Sequence, residues 1–219
     1  MIVYQDGHRT AVLTGLNRDS ENRKTGPMAQ LWILATRQVP TEAARNGHDR
    51  LVCGDCPLRP TVNGGCYVNL SRASHHVWRK LRRGGYPLGM PERIDRPLRL
   101  GAYGDPAFLP LTVISQLVNR VRRWTGYTHQ WRDPARQGLR EYCMASVESE
   151  DAAKAAWAAG WRTFRILRPG QTEVAGEIRC PAENGKTTCA KCGLCHGTGP
   201  LKSRKSITIM DHGPRRKRK

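Results

Sequence analysis

Apolar residues recur along this chain in two periods, and the switching between them outlines a fold. After about thirty polar, turn-rich residues ending in Asn22-Arg23-Lys24-Thr25-Gly26-Pro27, the run Leu31-Trp32-Ile33-Leu34 reads as a first buried strand. Thr41 to Asn46 is a short helix with Thr41 as its N-cap. Ser74 to Arg83 suits a helix stopped by Gly84-Gly85, and its exposed side carries Arg79, Lys80, Arg82 and Arg83. Leu98 to Tyr103 is a strand closed by Gly104-Asp105-Pro106. From Leu111 to Trp124, Val113, Ile114, Leu117, Val118 and Val121 keep helical spacing, with Arg120, Arg122 and Arg123 towards the end. Short strands over 126–131 and 142–147 precede an Ala-rich helix capped by Ser149 and stopped by Gly160. Residues 161–167 return as a strand, and after a loop-rich stretch Ser206 to Met210 forms the last one.

Strand-helix-strand repetition with short turns predicts parallel pairing through right-handed crossovers. The fold class is therefore α/β, as a partial (βα) barrel or an open parallel sheet, with a cysteine-rich C-terminal segment. Residues 1–170 make the α/β domain, 171–213 a metal-binding segment with the last strand, and 214–219 a basic tail expected to be disordered alone. In such folds the working groups gather in loops after the C-terminal ends of strands, where Asp105 and His129 lie. That pair is a candidate acid and base; each residue also suits a plainer role, as helix cap and strand-end hydrogen bonder.

Charge narrows the partners. Among 219 residues, 37 Lys and Arg face 18 Asp and Glu, a formal charge of +19. The tail Arg215-Arg216-Lys217-Arg218-Lys219 supplies five of these charges, so the body is basic by itself. Such a surface points to a polyanion, DNA or RNA, contacted through Arg79, Lys80, Arg82, Arg83, Arg120, Arg122, Arg123 and the tail. His75, His76 and Trp78 beside the first basic group, and Trp124 and Trp131 around Tyr127, offer rings for stacking on unpaired bases. No apolar run approaches the length of a membrane span, and the N-terminus lacks a basic and apolar export signal, so a cytoplasmic protein of the host cell with no membrane partner is expected.

Without an export signal, eight cysteines indicate metal ligation rather than disulfides. Seven of them fall into two tight groups. Cys180-Pro181, then Cys189, Cys192 and Cys195 at three-residue steps, wrap a loop in the way that suits an iron–sulfur cube, whereas a zinc ribbon separates its pairs; a structural zinc knuckle is the plainer alternative. Cys53-x2-Cys56-x9-Cys66 supplies three thiolates. On a 4Fe-4S cluster that leaves one iron open to a small molecule; a closed site would need a fourth ligand, for which Cys143 and His129 are candidates. Cys143 alone also reads as a small buried apolar residue.

The blocks 22–26, Cys53-Gly54-Asp55-Cys56 with Cys66-Tyr67, Arg99 through Gly104-Asp105, Tyr127-Thr128, the second cysteine run and 206–212 resemble an uncharacterised family of phage and plasmid proteins similar to the phage "gene product 88" proteins. The resemblance covers most of residues 20–213 and implies a mobile-element origin, a metal cluster, and phage or host protein partners. More distantly, a cysteine loop ending in Cys-Tyr, a strand ending in Gly-Asp and repeated βα units resemble the radical-SAM partial barrel. That resemblance would bring in SAM, but here C-x2-C-x9-C stands where that superfamily has C-x3-C-x2-C, and no Gly-Gly-Glu follows.

Two further motifs concern phosphate. Asn184-Gly185-Lys186-Thr187 has the end of a Walker A loop without its leading strand or first glycine. Lys24, Thr25 and Gly26 sit in a polar turn that could cradle a phosphate. These residues lead to a cysteine-ligated protein, iron–sulfur before zinc, that binds nucleic acid through a basic surface, and the resemblance implies that it is mobile-element-encoded. Two alternatives stand beside it: a radical-SAM-like or other cluster-dependent enzyme modifying nucleic acid or protein, and a phage accessory interaction module with structural metals. An open coordination position beside a pocket would favour the enzyme.

Overall fold

A computed structural model of the chain describes residues 1–17, 22–62, 64–199 and 205–211. The polar N-terminal stretch, expected to be turns, instead forms a hairpin of β1 (Ile2–Gln5) and β2 (Arg9–Thr14), and β2 pairs antiparallel with β3 (Ala29–Ala35). Met28, Ala29, Leu31, Ile33 and Leu34 are fully buried, as a strand covered on both faces requires. After β3 come α1 (Pro40–Asn46) and α2 (Arg50–Cys53). Thr41 is not the cap of α1: Val39 occupies that position without a side-chain bond, and Pro40 fixes the first turn.

Next along the chain, α3 (Ala73–Arg82) packs on α1 and β3. β4 (Leu98–Tyr103) then runs parallel to β3, and α4 (Leu111–Val118) follows. This helix is shorter than expected. Its end at Val118 leaves Arg120, Arg122 and Arg123 in a loop, and the chain straightens at Trp124 to pair with β4. The expected strand over 126–131 is also shorter and begins earlier, as β5 (Trp124–Thr125) and β6 (Tyr127–Thr128), with only Gly126 between them. β7 (Met144–Val147), α5 (Glu150–Ala158) and β8 (Thr163–Leu167) match expectation, including the Ser149 cap, whose hydroxyl accepts from the Ala152 amide. The C-terminal part adds β9 (Glu177–Arg179), a one-turn α6 (Cys189–Cys192) and β10 (Ser206–Met210).

The result is a mixed α/β fold with two mostly parallel sheets, ordered β1-β2-β3-β4-β5 and β6-β7-β8-β10-β9; among the described residues only the β1–β2 and β2–β3 pairings are antiparallel. Every strand from β3 onward therefore delivers its following loop to the same end of its sheet. A buried Arg165–Glu177 pair, in which Nε and Nη2 along one guanidinium edge each donate to a carboxylate oxygen, ties β8 to β9 across β10. Among the described residues no helix is long and apolar enough to cross a membrane. The basic tail and His212 lie outside the described residues.

Candidate metal and ligand site

The first cysteine loop begins at the end of α2. Its shape is set by Arg59, a buried guanidinium that donates to Asp49 at 2.9 and 2.6 Å and to the carbonyls of Gly54 and Gly47. Loops from later strands hold it from the other side: the Asp105 amide donates to Val52 at 2.7 Å, and the Gln130 side chain donates to the Cys53 carbonyl. Gly54 has φ of +55°, and a Cβ there would lie 2.6 Å from the Phe108 ring. Cys53, Cys56 and Cys66 are neighbours: burial pushes the Cys53 thiol up, and the negative charge of the other two sulfurs adds to it. Cys143 is fully buried behind Gly126, where a Cβ on that glycine would meet its sulfur at 2.7 Å. It is a core residue.

Beside the three sulfurs stand two groups that bear on what they hold. The Tyr103 hydroxyl is buried with no hydrogen-bond partner among the described residues, close enough to Cys53 and Cys66 for their charge to raise its pKa on top of burial. A buried donor left unpaired costs about 1–3 kcal/mol, so a sulfur-rich acceptor at this place would complete it. The second group is His129, whose Nε2 lies 3.9 Å from Cys56 Sγ and 2.9 Å from Glu148 Oε1. Burial alone would lower the imidazolium pKa, but Cys56 and Glu148 outweigh it and hold it up at about 10. Asp105 does not pair with this ring. Its carboxylate caps the turn at Ala107 and accepts the His129 backbone amide at 2.8 Å, so the expected acid–base pair is replaced by His129 with Glu148.

The second group forms around α6. Thr188 caps it, and the carbonyls of Lys24 and Thr25 accept the amides of Cys189 and Ala190. The turn at 22–26 is thus a seat for the cysteine segment. Its amides are engaged by Asn22, which takes those of Lys24 and Thr25 on its side chain and that of Gly26 on its carbonyl, so they form no phosphate cradle. Gly126, which interrupts the strand between β5 and β6, turns its amide out to the Cys195 carbonyl at 2.9 Å. Buried Arg162 donates to the carbonyls of Leu194, His196, Gly197 and Lys205, and so clamps the segment to the start of β8. Cys180, Cys189, Cys192 and Cys195 all line one small void. Burial pushes Cys180, Cys189 and Cys195 up, and the charge of neighbouring sulfurs adds to it; a bound cation would favour their thiolates. The Tyr127 hydroxyl beside Cys195 offsets part of the rise in that thiol. Among the described residues no group of three or more His, Cys, Asp or Glu side chains is arranged to hold a metal ion as it stands. The sulfurs are gathered, not closed onto a point.

Between the two cysteine groups lies a cavity of about 310 Å³. Its lining combines polar groups, among them Arg99, Lys24, Tyr67 and Tyr127, with apolar Phe164, Ile166 and Ile209, and includes His129 and the cysteines 180, 189 and 195. The chain matches no family model, no curated protein and no solved structure. Its site is therefore read from its own residues.

Other sequence candidates are distributed differently. Arg79, Lys80, Arg82, Arg83, Arg122 and Arg123 are exposed, whereas Arg120 donates to the carbonyls of Pro91 and Gln116. Trp124 and Trp131 are buried, and Trp78 donates to the Ala35 carbonyl beneath Arg82, so these rings serve the core instead of an open stacking platform. Sequence reasoning missed Glu148, Tyr103 and Arg162. Nothing local marks them, because each acts on a residue distant in the chain.

Proposed function

We propose that this is a cluster-dependent enzyme in which Cys53, Cys56 and Cys66 hold a 4Fe-4S cluster with one iron free of protein ligands, and Cys180, Cys189, Cys192 and Cys195 hold a second, closed iron–sulfur or zinc centre. The observation that carries it is that neither candidate fourth ligand is offered to these three sulfurs: Cys143 is packed in the core behind Gly126, and His129 Nε2 is held by Glu148 at 2.9 Å, while a cavity large enough for a small molecule opens at His129. Read as one curved sheet through Gly126, the parallel strands β3 to β10 fit a partial (βα) barrel with the cavity at its mouth. When bound, such a cluster supplies one-electron chemistry at its open iron. The chain's own residues do the rest. Arg59 with Asp49 fixes the cysteine loop, Tyr103 offers a donor to the sulfur-rich group, and Glu148 keeps the His129 imidazole turned towards Cys56. Phe164, Ile166 and Ile209 add apolar surface to the cavity lining.

A nucleic-acid partner is favoured by a separate observation: α3 carries three exposed cations in its last turn, a fourth follows at its cap, Arg83, and the helix has no acidic residue. The mobile-element origin implied by the phage-protein resemblance belongs to the same proposal. The test is anaerobic purification with iron, sulfide and zinc analysis, an absorption spectrum and Mössbauer spectroscopy, on the wild type and on Cys56→Ala. Iron and sulfide with the broad visible absorption of a cluster, reduced by about half or more in Cys56→Ala, support the reading. A protein that takes up zinc only, even after incubation with iron and sulfide, would remove the enzyme reading and favour an interaction module with structural metals.

A further inference from the structure

We propose that the cavity between the cysteine groups binds an organic oxyanion, a carboxylate or a phosphate, seated on the guanidinium of Arg99. Arg99 projects from the second position of β4 into this cavity, and among the described residues its side chain has neither a hydrogen bond nor an ion-pair partner. Arg99 is half-buried, and the buried arginines all have partners. Arg59 and Arg165 lie on carboxylates, and Arg162 lies on a fan of carbonyls. An arginine left without an acceptor in a concave site is a fork awaiting one, since its planar donors match the two oxygens of a carboxylate or phosphate.

The surroundings fit the same ligand. Among the described residues no Asp or Glu lines the cavity, while Arg99 and Lys24 both do. Phe164 packs against Tyr127 with ring centroids 4.5 Å apart, and Ile166 and Ile209 add apolar surface to the same lining. A ligand with one anionic end and a flat or apolar body is what this lining selects. At about 310 Å³ the space suits a molecule of nucleotide size and is too small for a folded partner. The inference names the substrate class of the proposed enzyme, but binding of the anion requires no cluster.

The experiment uses the full chain and two matched pairs of probes, titrated by calorimetry: adenosine 5′-monophosphate against adenosine, and benzoate against benzamide. At least one anion should bind tenfold or more tightly than its neutral partner, and the pair that shows the difference tells phosphate from carboxylate. Arg99→Met should bring that ratio close to one. Arg99→Lys, which keeps the charge and loses the fork, should fall between and guards against a folding defect. Equal binding of anion and neutral partner in both pairs, or an unchanged ratio in Arg99→Met, would overturn the proposal. Iron content is measured on the same samples. Cluster without anion binding refutes this inference alone, and anion binding without cluster refutes the enzyme reading alone.

Discussion

Replacing Arg162 by Met tests whether the second cysteine segment is held by the fold or only by its metal. The guanidinium donates to His196 at 2.7 Å, Gly197 at 3.3 Å, Leu194 at 3.0 Å and Lys205 at 2.6 Å, and it has no ion-pair partner among the described residues. Hydrogen bonds from a charged donor contribute about 1.5–3 kcal/mol each, and the long contact to Gly197 less. Against this stands the cost of burying a cation without a carboxylate, visible in a pKa lowered chiefly by desolvation, and an Nε that finds no acceptor among the described residues. Methionine fills most of the volume and removes that cost along with the bonds. The net loss should be about 3 kcal/mol, or roughly a hundredfold in the folding equilibrium. With a urea slope of about 2 kcal/mol/M the unfolding midpoint should fall by about 1.5 M. Hydrogen exchange should accelerate at the amides of 189–199 more than in β3 or β4. A midpoint within about 0.2 M of the wild type, with unchanged exchange in that segment, would refute the clamp.

Four further outcomes follow from particular contacts. Cys143→Ala should leave iron and zinc content unchanged and cost about 1–2 kcal/mol of stability, since the thiol is a core group; lost metal would make it a ligand. Tyr103→Phe removes a hydroxyl that has no partner among the described residues, so the metal-free chain should gain about 1 kcal/mol in urea unfolding, and a loss of that size would reveal a partner. Gly104→Ala should lower Tm by about 6–10 °C, because φ is +80° and the new Cβ would lie 2.5 Å from the Ile33 carbonyl oxygen; an unchanged Tm counts against that packing. Replacing Arg79, Lys80, Arg82 and Arg83 together by Ala should lower the slope of log affinity for duplex DNA against log salt by about 3–4, read by fluorescence anisotropy; an unchanged slope would place the contact elsewhere.

The parts legible in the sequence are those set by neighbours along the chain. Ser149 caps α5 because its hydroxyl meets an amide three residues on, and β10 runs over 206–210 because alternation and β-branching act within five residues. The two cysteine groups were legible for the same reason, since close spacing brings ligands together in any compact loop. What tertiary structure decided are meetings across long separations. The β1–β2 hairpin was hidden by its polar residues and is stabilised by pairing with β3. The Leu111 to Trp124 pattern reads as one helix until β4 captures Trp124 as a strand partner. The turn at 22–26, a phosphate cradle when considered alone, turns its carbonyls to a helix more than 160 residues away. Arg99, one more cation in a basic composition, becomes the unpaired donor of a cavity only when six elements close around it. Local sequence sets backbone geometry and ligand spacing, whereas the partner of a buried polar group depends on which distant surface the fold brings against it.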